Sequence, residues 1–444
     1  MSHTMEISQD LSPEKFVLGK RAGTWVVKFA GIGAVALAIA LALGFTGDEA
    51  TTSRFLHAYL TSYMYFTSIC LGALFFVIIM QVTSAGWSAT TRRIAELLTM
   101  NFPLMGVLSL PILASAAMGN ATLFTWVDPS IVDNAQPGLS HLIETKSAYL
   151  NSSFFIGRVV FYFALWIGVA SWFRKNSMAQ DISGDPILTN KMKKFAAPAI
   201  PLFALSITFF ALDMLMSLDP TWFSTIFGVY YFAGSFGAFM ALLGIISNKL
   251  GGEGGILSGK IRDEHFHDIG KLTFAFVMFW GYIAFSQYIL IWYANIPEET
   301  AWYHERENLY WGHVGILFVV RFAIPFLGLM SRHMKRVPGR MIIFGGWILV
   351  THFYDMFFLT MPSQIQTLGY LKANALAEHG EEAAAALEAT AHSFEAMPFG
   401  ALEALCLIGI GGLFVAGVAH AFSKNSILAV RDPRMSESMT FHNP

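Results

Sequence analysis

The run "VTHFYDMFF", residues 350–358, sets a histidine and an aspartate three residues apart among Phe, Tyr, Met and Val. On a helix, His352 and Asp355 share one face, with side chains within touching distance. Inside a bilayer each of them costs free energy unless it has a partner or a task. Imidazole both accepts and donates a proton near neutral pH, so a histidine beside a carboxylate is suited to moving protons. A cation of the right kind stands in a second apolar run, Arg321 in "FVVRFAIPF", residues 318–326. His313, Asp213 and Glu403 are further titratable groups in apolar surroundings. Together these six residues are the candidates for a proton path.

The elements that must position them are membrane spans. The 444 residues are 55% hydrophobic and only 13% charged, about half the charge of a soluble domain. Runs long enough to cross a bilayer, about 20 residues, recur near 26–46, 56–82, 97–117, 153–173, 196–217, 222–247, 269–293, 310–332, 339–360 and 396–422. The fold class expected is therefore an all-α polytopic membrane protein of ten transmembrane helices. Lys and Arg crowd the N-terminal segment, the loops after spans 2, 4, 6 and 8, and the C-terminal tail. Only Arg54, Lys146, Arg306 and Lys372 fall in the other five loops. The positive-inside rule then puts both termini in the cytoplasm. No cleaved signal segment is evident before Trp25, so the first span is expected to direct insertion itself.

The polar residues hint at a duplication. Span 5 ends "DMLMSLDP" (213–220) and span 9 ends "DMFFLTMP" (355–362). "VVFYFALWIGVAS" from Val159 aligns with "VVRFAIPFLGLMS" from Val319, and "YMYF" (63–66) with "VYYF" (229–232). Three matches in one order predict two four-helix bundles, spans 2–5 and 6–9, as parallel repeats about an axis normal to the membrane. The organisation expected is an N-terminal segment 1–25, a flanking helix 26–46, a first bundle 56–221 and a second bundle 222–362. An outer loop with an Ala/Glu-rich helix (363–395), a flanking helix 396–422 and a cytoplasmic tail 423–444 follow.

Spans 8 and 9 are joined by the short "RHMKRVPG" and should lie side by side. Counting about 1.5 Å per residue, His313, Asp355, His352 and Arg321 form a ladder from the outer surface to mid-membrane, with Asp213 in the duplicate place and Glu403 at outer depth. Arg158, Lys28, Lys271 and Arg340 stand near span ends and are expected to snorkel to the interface, and His57 and His420 to be structural. Cys70 and Cys406 belong to no CxxC motif, and only His352 is a deep histidine. No metal, haem or iron–sulfur cluster is expected in this chain. Its net charge of −2 gives no case for nucleic acid.

Two stretches carry a family resemblance: "LDMLMSLDPTWFSTIFGVYYFAG" (212–234) and "FWGYIAFSQYILIWYANIPEE" (279–299). They resemble the F subunit of bacterial alternative complex III, a quinol:cytochrome c oxidoreductase, within the NrfD/polysulfide-reductase membrane-subunit superfamily. The resemblance runs from span 1 to span 10. It implies ten helices around two four-helix bundles. The partners it implies are a multihaem cytochrome c, an iron–sulfur subunit, a paralogous membrane subunit and often a terminal oxidase. Haem c and iron–sulfur clusters would sit in those partners, and quinol is the cofactor this chain could touch. NrfD-like proteins hold quinol in the first bundle with a histidine on span 4 and an aspartate on span 5. Asp213 matches that aspartate, which gives a quinone contact near Asp213 as an expectation. Span 4, "NSSFFIGRVVFYFALWIGVAS" (151–171), carries no histidine, which moves weight from quinol oxidation towards proton conduction or a structural role. An ion-coupled secondary transporter and a purely structural scaffold are the competing readings.

Overall fold

A computed structural model describes residues 12–309, 313–396 and 399–442. The fold is all helical, with no strand among the described residues. Nine helices among the described residues are long and apolar enough to cross a membrane. They include α1 (Gly19–Thr46), α2 (Glu49–Val82), a broken span α3 (Arg92–Ala117), α4 (Ser152–Ser183), α5 (Pro186–Met214), α6 (Phe227–Gly251) and α7 (Asp263–Ala294). After a surface helix α8 (Pro297–Leu309) comes a shorter apolar segment, α9 (Val314–Leu329). Then follow α10 (Pro338–His379), a second surface helix α11 (Glu381–Ala396) and α12 (Ala401–Lys424). The described N-terminal segment meets the C-terminal one, Leu18 N–H donating to the Phe422 carbonyl and Ile427 N–H to that of Phe16, at 3.2 and 3.0 Å. Both therefore lie on one face, the termini face, and the loops 118–151, 215–226 and 295–309 lie opposite.

Two departures from the sequence expectation have local causes. Where a full span over 310–332 was expected, α9 is shorter, and residues Phe318–Ala323 wind as a π-helical turn. In that register residue 325 would donate to the carbonyl of Val320. Pro325 has no N–H to give, and the Trp347 indole donates to Val320 instead, at 2.7 Å. Span 9, expected over 339–360, runs on through Pro362 as a single 42-residue helix, about 63 Å at 1.5 Å per residue and twice the hydrocarbon thickness. The carbonyl that Pro362 cannot serve is that of Phe358, four residues earlier. Arg306 from α8 donates its Nε to it at 3.1 Å. A buried arginine thus lets a proline sit inside a continuous helix.

The core sits along α2. It packs against α5, α6, α10 and α12 and buries most of its length, polar residues included: Ser53, His57, Thr61, Thr67 and Ser68 are all enclosed. α6 closes on α10 and α7, and α9 leans on α7 and α10. Asp355, in the middle of α10, and Arg321, on the π-turn of α9, are brought together at the meeting of these helices.

Candidate functional site

His352 and Asp355 are both fully enclosed, and Arg321 is nearly so. Arg321 Nη2 lies 2.9 Å from His352 Nδ1 and 3.2 Å from Asp355 Oδ2. The Tyr230 hydroxyl, from α6, donates to Asp355 Oδ1. The guanidinium lies 4.4 Å above the ring of Trp280 on α7, a placement the ring's quadrupole favours. A π-turn inserts one residue into a helix and recurs at functional positions; here it carries the arginine. Gly234 on α6 leaves the room, since a Cβ there would stand 2.8 Å from Arg321 Nη2 and 3.2 Å from His352 Cε1.

The contacts fix the protonation of His352. A guanidinium has donors only, so Nδ1 accepts and carries no proton. Nε2–H then donates to Ser68 Oγ at 2.8 Å, and Ser68 passes its own hydrogen to the Tyr65 carbonyl at 2.6 Å. His352 is a neutral Nε2–H imidazole. Asp355 is incompletely satisfied by comparison. Its carboxyl has the Arg321 charge and the Trp280 indole beside it, though no well-aligned donor reaches Oδ2, and Arg321 Nη1 has no aligned acceptor. A carboxylate oxygen with an open lone pair in the middle of a membrane protein can take a proton.

Asp213, at the end of α5, is built differently. Its Oδ1 accepts from the Tyr149 hydroxyl and from Arg158 Nη2, both at 2.9 Å. Its Oδ2 accepts from Arg158 Nε at 2.9 Å and the Tyr162 hydroxyl at 2.8 Å. Four donors fill the four acceptor positions of the carboxylate. Arg158, expected to snorkel, is instead buried in a bidentate ion pair. It stands on the seventh residue of α4, at the depth of the last turn of the antiparallel α5. Tyr149 also stacks on its guanidinium at 3.9 Å and takes Nη1 on its carbonyl at 3.0 Å.

Of the six residues singled out by sequence, the structure brings together Arg321, His352 and Asp355. Asp213 belongs to the separate Arg158 cluster. Glu403 binds Arg54 through both oxygens at 2.7 and 3.0 Å and caps Gly400 N at 2.7 Å, joining α12 to α2. It shares no hydrogen bond with Asp355. The side chain of His313 lies outside the described residues. Sequence reasoning missed Tyr230, Trp280 and Ser68, which nothing short of the tertiary packing would reveal. It also missed Arg306, for which Pro362 was a usable signal.

Beside the cluster is a cavity of about 430 Å³. Tyr230 and Trp280 form its wall towards Asp355, and Gln287, Trp302, Tyr303 and Phe358 line the rest. Gln287 donates to the Tyr303 hydroxyl at 3.0 Å and accepts from Ser224 at 2.9 Å. Trp302 stacks on Trp222 with ring centres 4.5 Å apart and carries the Arg306 guanidinium 3.4 Å above its ring. On the loop face a second cavity, about 740 Å³, is lined by Glu305, His304, Thr300 and Gln366. Burial pushes the Glu305 carboxyl up to about 7, Arg306 opposing and Asp219 adding to the shift.

Among the described residues no cluster of histidine, cysteine and carboxylate groups could hold a metal ion. Comparison with protein-family models finds no match, and neither does comparison with curated proteins. By its own helices, the chain is an integral multi-pass membrane protein.

Proposed function

We propose that this protein is an integral subunit of a respiratory quinol:electron-acceptor oxidoreductase of the alternative complex III kind, and that Asp355, with Arg321 and His352, carries a proton step in it. One observation bears most of the weight: a fully enclosed aspartate with an open acceptor oxygen, held by an arginine that also engages a neutral histidine. Protonation at Oδ2 turns Asp355 from acceptor to donor. The guanidinium then rests on His352 Nδ1 and on the Trp280 ring, so the released cation keeps partners. Loss of the proton restores the pair. An ion left unpaired at this depth would cost about 3 kcal/mol, and the two-sided seat of Arg321 keeps either state from reaching that figure.

The two-bundle organisation belongs to the same reading. It is supported by an Asp at the same step of α5 and α10, each met by an arginine from the preceding apolar helix. The two sites have diverged: Asp213 is saturated and Asp355 is open. A quinone contact of this chain is therefore better sought at the cavity beside Tyr230 than near Asp213. The redox centres, haem c and iron–sulfur clusters, belong in this reading to partner subunits. The termini face is cytoplasmic, in line with its lysines and arginines.

The test is Asp355→Asn in the intact complex. The amide keeps the shape and loses the titratable proton. Normal assembly and haem content with a lowered proton-to-electron ratio in proteoliposomes is the expected result. A reduced yield of complex whose ratio is normal would make the pair structural, and normal yield with a normal ratio would overturn the reading outright.

A further inference from the structure

Helix α8 stands between two cavities. Its Trp302 and Tyr303 wall the 430 Å³ cavity beside Tyr230, the residue that holds Asp355, and its His304 and Glu305 wall the 740 Å³ cavity on the loop face. Helix α10 repeats the division, with Phe358 on the inner cavity and Gln366 on the outer one. Arg306 sits where the two helices cross. It is enclosed, lies 3.4 Å above the Trp302 ring and directs its donors to the carbonyls of Trp302, Phe358 and Leu359 and the hydroxyl of Ser363. All of these acceptors are neutral, and among the described residues no carboxylate bonds to the guanidinium. Burial lowers its pKa to about 9, Glu305 and Asp219 opposing, so it stays a cation at neutral pH. Glu305 and Asp219 meet that charge from the loop side, Tyr303 and Tyr230 from the inner side. The gap left by Pro362 calls for one donor, and a neutral donor would fill it. The charge therefore exceeds the structural task. A buried guanidinium touched by neutral groups raises the energy of any second cation brought near it, which is how an arginine keeps protons out of a pore.

We propose that Arg306 is an electrostatic barrier set in α8, which keeps protons of the loop-face cavity from entering the cavity beside Tyr230 and Asp355. Its bearing on turnover rests on the proton step proposed above for Asp355; the barrier itself does not.

The test compares Arg306→Met with Arg306→Lys, each combined with Pro362→Ala. The alanine N–H serves the Phe358 carbonyl in both, so the helix is repaired, and the two side chains are alike in length and differ in charge. Passive proton flux into proteoliposomes of the intact complex is followed with an entrapped pH dye, without quinol and under an imposed potassium diffusion potential. Working at about pH 6 keeps a buried lysine charged. The methionine variant is expected to leak roughly tenfold faster than the wild type, and the lysine variant to match the wild type. Equal flux through the two variants, both tight or both leaking, or a leak in the lysine variant alone, would overturn the barrier. Adding Asp355→Asn to the leaking variant separates this result from the function proposed above. Loss of the leak puts Asp355 on the route, whereas a leak that persists leaves the barrier standing and takes Asp355 off it.

Discussion

Asp213 and Asp355 pose a quantitative contrast. In Asp213→Asn the side chain keeps one carbonyl oxygen, able to hold two of the four donors now aimed at it. Its NH2 then faces two donors, and Arg158 loses its counter-charge. Two charge-assisted bonds at about 1.5–3 kcal/mol each, or equally the breaking of a buried pair at about 3–5 kcal/mol, put the loss near 4 kcal/mol. In Asp355→Asn the amide oxygen can keep the Tyr230 bond. What goes is a single 3.2 Å contact with an arginine that retains His352 and Trp280, worth about 2 kcal/mol. The cleaner measure is a pair of double-mutant cycles, Arg158→Gln with Asp213→Asn and Arg321→Gln with Asp355→Asn. Denaturant unfolding of the detergent-solubilised protein, followed by tryptophan emission, should give a coupling of at least about 3 kcal/mol for the first pair and about half that for the second. Equal couplings, or a larger one for Arg321–Asp355, would refute the idea that one carboxylate is a saturated latch and the other an open site.

Two further outcomes follow from the loop face. Arg306→Met should destabilise by about 1–3 kcal/mol, the cost of orphaning the Phe358 carbonyl; adding Pro362→Ala, whose N–H can serve that carbonyl, should recover a good part of the loss in the same unfolding assay. Glu305 has a folded-state value near 7 against 4.5 ordinarily, so the folded protein holds this proton more tightly than the unfolded chain. Its contribution is present below about pH 4.5 and is lost as pH rises to about 7, by up to about 3 kcal/mol. Melting curves at pH 5 and pH 8 should therefore diverge in the wild type and draw together in Glu305→Gln.

The membrane class was legible because apolar runs of span length leave little alternative. Arg321, His352 and Asp355 were legible because ions and imidazoles are rare at such depth, and the short 8–9 connection made their helices neighbours. What failed was depth judged one helix at a time. Arg158 looked like a span-end cation, yet seven residues into α4 is the level of Asp213 near the end of α5, and counting both helices together would have paired them. The π-turn and the shortened α9 have no periodic signature; only Pro325 marks the place. Glu403 reads in sequence as a carboxylate at outer depth on the proton path, and only the packing of α12 on α2 brings Arg54 beside it. Tyr230, Ser68 and Trp280 are ordinary members of apolar helices in sequence, and only packing turns them towards the cluster.

The pairing of α1 with α12 has a consequence in time. α1 packs chiefly on α12 and more lightly on α2, with Gly33 seated against the backbone of Gly409 and Gly412 so closely that no Cβ would fit. Among the described spans, the main partner of α1 is thus the one most distant from it in sequence. During synthesis α1 has to wait in lipid, held by its lighter contact with α2, until α12 leaves the ribosome and the Leu18–Phe422 and Ile427–Phe16 hydrogen bonds can form. A chain stopped before residue 401 would complete every helix around Asp355 and still leave the small-residue face of α1 without the surface it fits.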